Sequence, residues 1–93
     1  MGYQAFGMTV PEHMIESIRR YADHGVPAGG FLEAVISNDL NAAVNAADDE
    51  NIQVIPAIVR YFYNQCPSAC WGYDGAFKAW IERKRLERLE AAK

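Results

Sequence analysis

Two cysteines and two histidines are the residues most readily given chemistry. Cys66 and Cys70 stand four apart, and His13 and His24 lie far upstream. Thiolate and imidazole are common zinc ligands, and a Cys–His pair can also form a nucleophile. Here there is a single cysteine pair, interrupted by Pro67, with no accompanying ligand spacing. Two half-buried reduced thiols beside a loop are the favoured reading, with no metal and no cofactor. No paired-carboxylate or Ser-His-Asp pattern rises above chance, so binding is favoured over catalysis and an enzyme is not expected.

A stronger lead is the stretch "HGVPAGGF" at 24–31. Gly29 and Gly30 leave backbone N–H groups uncovered where a helix is expected to start at Phe31. Such a mouth can receive a phosphate, because the first turn has unpaired donors at the positive end of the helix dipole. Tyr21 offers an aromatic face for a base, a contact worth about 1–3 kcal/mol, and Arg19 and Arg20 add charge. The competing reading is a plain helix corner, with Gly25 closing the first helix and Tyr21 in the core; composition alone favours that corner. A second cluster, "CWGYDG" at 70–75, sets Trp71 and Tyr73 around Gly72. Trp71 can wall a pocket or plug the end of a bundle. With Asn38, near which the second helix is expected to kink, the candidate ligand-binding set is Arg19, Arg20, Tyr21, Gly29, Gly30, Phe31, Asn38, Trp71 and Tyr73.

These residues need helices to position them. Residues 1–8 are expected to form a flexible arm. "TVPE" reads as a helix start, with Thr9 and Glu12 as a capping box. Met14, Ile15, Ile18, Tyr21 and Ala22 then form one apolar stripe, and Gly25 and Pro27 end the helix. A second helix, 31–47, is expected to kink near Asn38, since "SND" also suits a cap. A third spans about 50–64, with Pro56 bending it or marking its true first turn. The last runs from about 74 to 91, capped by Asp74, into a charged helical tail at 84–93. Phe77, Trp80 and Ile81 share one face of it, while Leu86 and Leu89 are displaced to another. Those two leucines either meet a second protomer or sit exposed on a frayed end. No strand-like alternation is visible. The expected fold is one all-α domain over 1–93, a small bundle of about four helices that assembles as a homo-oligomer.

Charge narrows the partners. The 93 residues carry a formal net charge of -3, unevenly spread. Residues 33–50 hold Glu33, Asp39, Asp48, Asp49 and Glu50 with no base; residues 78–93 hold six bases against three acids. Overall acidity argues against duplex nucleic acid. A helix–turn–helix reading of 11–40 fails for the same reason, because its second helix offers Glu33, Asp39 and Asn41 to the phosphates. No run of 18 apolar residues suggests a membrane span. A chain this short gains from oligomerisation, since a small core alone supplies about 3–5 kcal/mol.

The order of a tyrosine, "GVPAGGFLEAVISNDLNAAVNAAD", "YFYNQCPSACWG" and a late "AW" resembles the anti-CBASS cyclic-nucleotide sponges of tailed phages, over about residues 11–82. CBASS is the bacterial defence in which a cyclase answers infection with a cyclic oligonucleotide that triggers a killing effector. The resemblance implies an all-helical hexamer of interlocked dimers. Acting in the host cytoplasm, it would hide cyclic dinucleotides, and cyclic trinucleotides in separate pockets, without cleaving them. It assigns base stacking to an aromatic residue near the end of the first helix, the position of Tyr21. It also implies a basic residue near the start of the second helix, yet residues 26–48 contain no Lys or Arg. Either the ligand differs, or the phosphate contact moves to Arg19, Arg20 or a partner's C-terminal bases. A small phage adaptor that binds a host protein through Trp80, Leu86 and Leu89 is the alternative.

Overall fold

The computed structural model describes residues 2–92. Met1 of the expected arm and Lys93 of the expected tail lie outside the described residues. The order is β1 (Tyr3–Ala5), β2 (Met8–Val10), α1 (Glu12–His24), α2 (Gly30–Ile36), α3 (Leu40–Ala46), α4 (Ile55–Gln65) and α5 (Ala76–Ala91). Short 3-10 turns at Asn51–Gln53 and Ser68–Cys70 precede α4 and α5. The chain is therefore mostly helical, as expected, but it also carries two short strands.

Those strands correct the reading of the first residues as a loose arm. β1 and β2 pair antiparallel, with Tyr3 opposite Val10 and Ala5 opposite Met8. The two-residue turn between them is Phe6-Gly7, both left-handed at φ 55° and 73°, as a tight hairpin requires. The hairpin packs on α4. Tyr3 meets Tyr61 edge-on at 5.1 Å, and its hydroxyl accepts from Asn64 Nδ2 at 2.9 Å. Thr9 is thus a strand residue, not a helix cap. Pro11 occupies the cap position of α1 without a side-chain bond, and its carbonyl accepts from Met14 and Ile15.

α1 ends as its sequence predicts. Gly25 is left-handed at φ 69°, and its N–H donates to Tyr21 O at 2.8 Å while Val26 N–H donates to Arg20 O. This closing pattern satisfies carbonyls that the helix end leaves unpaired. The second expected helix breaks rather than kinks. Asn38 takes φ 60°, Asp39 N–H donates back to Ala34 O at 2.9 Å, and the Asp39 carboxylate then caps α3 through Ala42 N–H at 3.0 Å. Two short helices replace one long one, so the described bundle has five. Pro56 lies in the first turn of α4, where its missing N–H costs nothing. Gly75, not Asp74, is the cap residue of α5.

The core is one cluster with Ile18, Tyr21, Ile36, Ile58, Phe62 and Cys70 at its centre. From α5 it takes Ala76 and Trp80, with Phe77 and Ile81 packed against it. The Trp80 indole N–H donates to Tyr21 O and Ala22 O, each at 3.1 Å, locking α5 onto the end of α1. Some residues on the expected apolar stripes lie outside: Leu40 (70 %), Val44 (45 %) and Val59 (39 %) are exposed. Breaking the helix at Asn38 rotates α3 so that Ala43 is its buried contact.

Candidate functional site

Tyr21 does not present a face to a base. It is fully buried, its ring lies parallel to Phe77 at 5.4 Å, and its hydroxyl donates to Cys70 O at 2.8 Å. Burial pushes its phenol pKa well above the ordinary range. Tyr21 therefore joins α1 to the Cys70 turn and α5, and the expected stacking role is corrected. Arg19 is also committed: its guanidinium pairs with Asp23 and donates to Gln65 O at 2.9 Å and Cys66 Sγ at 3.8 Å. The Cys70 thiol, first, and then Arg19 hold the Cys66 thiol below its usual pKa, against the opposing effect of burial. Arg20 is exposed and bonds the Ser17 hydroxyl at 3.2 Å.

The glycine mouth is poorly suited to an anion. α2 is only seven residues long, and Glu33 lies in its first turn. The depression at Gly30 is bordered by both Glu33 and Asp39, two carboxylates that repel a phosphate. Gly29 has an ordinary extended backbone, and a Cβ on either glycine would meet nothing within 4 Å. Phe31 is a core residue at 8 % exposure. Tyr73 turns its hydroxyl back to Ala69 O at 2.7 Å.

Asn38 and Trp71, by contrast, are brought together. Gly72 N–H donates to Ile36 O at 2.7 Å, tying the Trp71 loop to the end of α2. Trp71 is half-buried and stacks on Phe62 at 5.4 Å. With Val59, Tyr63, Ser68 and Gly72, Asn38 and Trp71 line an open groove of about 720 Å³. Val59 and Tyr63 also line a neighbouring depression of about 480 Å³ with Phe6, Pro56 and Arg60. Tyr63 is 69 % exposed and Phe6 60 % exposed. Among the described residues, the two non-glycine positions with left-handed backbone, Phe6 and Asn38, border neighbouring depressions that share Val59 and Tyr63.

Sequence reasoning found Asn38 and Trp71 but missed Tyr63, Val59, Arg60 and Phe6. One signal was present: in "YFYNQ" three successive large side chains cannot all face one core, and Tyr61 and Phe62 are the buried two. Together the two depressions offer aromatic surface, the Asn38 amide, the hydroxyls of Ser68 and Tyr63 and the Arg60 guanidinium. That inventory can stack a flat ring, bond its edge and meet an anion. Among the described residues no group of three or more His, Cys, Asp or Glu side chains is placed to hold a metal, and no helix is long and apolar enough to cross a membrane. The chain matches no protein family, curated protein or solved structure in comparisons with each.

Proposed function

We propose that this chain binds and sequesters cyclic oligonucleotide messengers, cyclic dinucleotides first and cyclic trinucleotides second, and so blocks CBASS signalling in the host cytoplasm without cleaving them. The observation that carries the reading is the groove between Asn38, Tyr63 and Trp71. Its aromatic rings suit the face of a base, and the Asn38 amide suits the donor and acceptor edge. The sequence resemblance to phage sponges supplies the ligand class. The site is moved from Tyr21 and the glycine mouth to this groove. A homo-oligomer, a hexamer of interlocked dimers, fits the same reading: a two-fold dimer offers the groove twice, once for each half of a cyclic dinucleotide.

Mixing the protein with 3′,3′-cyclic di-AMP, cyclic di-GMP and cyclic GMP–AMP, filtering off free ligand, then heating the retained fraction, tests this. Intact nucleotide released on heating is the expected result; cleaved nucleotide indicates an enzyme, and no depletion overturns the reading. Trp71→Ala should weaken capture by about 1–3 kcal/mol, the value of one base–aromatic stack. The adaptor alternative keeps one supporting observation, the exposure of Leu86 and Leu89 at 50 % and 53 %. Trp80 drops out of it, being 4 % exposed.

A further inference from the structure

We propose that Arg60 is the phosphate-binding residue of the groove, held ready by the rings of Phe6 and Tyr63. This rests on the nucleotide reading above and supplies the basic contact that residues 26–48 lack. The guanidinium carbon lies 5.2 Å from the Phe6 ring centre and 5.4 Å from that of Tyr63. A guanidinium stacked on aromatic faces keeps its in-plane N–H donors free for a phosphate, which they can meet two at a time.

Arg60 also differs in its company from Arg19, Arg83 and Arg85, and shares with Arg20 and Arg88 the lack of a carboxylate partner among the described residues. Arg19 pairs with Asp23, Arg83 with Glu87 and Arg85 with Glu82, while Arg88 donates to His24 O. Among the described residues no carboxylate pairs with Arg60. Phe6 adds a second, independent observation. The hairpin turn accounts for its left-handed backbone, but the residue is 60 % exposed, so packing in the core does not account for an aromatic residue at that turn. Its ring faces the Arg60 guanidinium.

The charges orient the ligand. Asp39 follows Asn38 and borders the adjoining dimple beside Val59, so a phosphate is repelled at that end. The base enters between Asn38 and Trp71, and the phosphate lies toward Arg60.

Titration of the full chain with the three cyclic dinucleotides and with the matching nucleosides, which lack phosphate, tests the assignment, with circular dichroism confirming that each variant is folded. Arg60→Gln should weaken cyclic-dinucleotide binding at least tenfold and flatten its salt dependence, while nucleoside binding, followed by NMR shifts, stays as in the wild type. Arg60→Lys should recover part of the loss, and Phe6→Ala should cost a smaller factor. Wild-type affinity and salt dependence in Arg60→Gln would overturn the role of Arg60 and leave the groove standing. Equal loss of nucleotide and nucleoside in Arg60→Gln would overturn it too, by making Arg60 a wall of the groove. Failure of the wild type to bind any cyclic dinucleotide would overturn the groove reading itself.

Discussion

At the scale of single residues, Tyr21 shows how the same side chain can be read twice. Its position on the stripe with Ile18 and Ala22 already allowed a core role, and the structure takes that option. Its hydroxyl still needs a partner in the interior and finds one in Cys70 O. Tyr21→Phe should therefore cost about 0.5–1.5 kcal/mol for the lost bond, read as a lower melting temperature with unchanged ligand binding. The pH dependence follows from the sign of the shift. The folded state raises the Tyr21 pKa above the unfolded value of about 10, so its contribution is fully present below about pH 10 and is lost as pH rises toward the folded value. Melting temperatures from pH 8 to 11 should fall more steeply for the wild type than for Tyr21→Phe. Parallel curves would contradict a buried neutral phenol. Periodicity found which face Tyr21 occupies, but not that its ring would lie against Phe77, fifty-six positions on by sequence number.

Among the elements, the helices with strong stops were legible and the small ones were not. Gly25 and Pro27 mark the end of α1 because only a left-handed residue closes that helix cheaply. The hairpin was hidden for a different reason: strands of three residues give too little alternation to detect, and Phe6 is not the Asn or Asp expected before the turn glycine. The break at Asn38 was visible as "SND", yet its depth depends on the Asp39 cap and the Gly72 contact from a distant loop. The glycines allow a direct test. A Cβ on Gly25 would lie 2.5 Å from Lys84 Cβ, on a backbone of φ 69°. Gly25→Ala should cost at least about 1–2 kcal/mol for the left-handed geometry alone and loosen α5 from α1. A Cβ on Gly30 meets nothing within 4 Å, so Gly30→Ala should leave stability unchanged or raise it by about 0.5–1 kcal/mol. Urea unfolding of both variants checks the pair, and a large loss at Gly30 would restore a special role to the glycine mouth.

For the whole molecule, the question is what the far end of α5 is for. The body measures 45 × 28 × 19 Å, and from residue 85 to 92 every residue of the α5 end is exposed. Its charged side chains largely satisfy one another: Arg83 and Lys84 pair with Glu87, and Arg85 with Glu82. Exposed pairs of this kind contribute little to stability, so they do not explain a helix carried beyond its own core. Leu86 and Leu89 lie uncovered at 50 % and 53 %, and a second protomer is the occupant that the sponge reading requires. Light scattering at micromolar concentration should then give a mass well above the 10.4 kDa of one chain. Leu86→Glu with Leu89→Glu should lower it. A monomeric wild type would defeat the oligomeric part of the proposal. The same double variant also locates the site. If the mass falls while each chain still captures cyclic dinucleotide with wild-type affinity, the Asn38–Trp71–Arg60 groove is complete within one protomer. If capture falls with the mass, the groove holds half a ligand, and the two-fold partner must supply the rest.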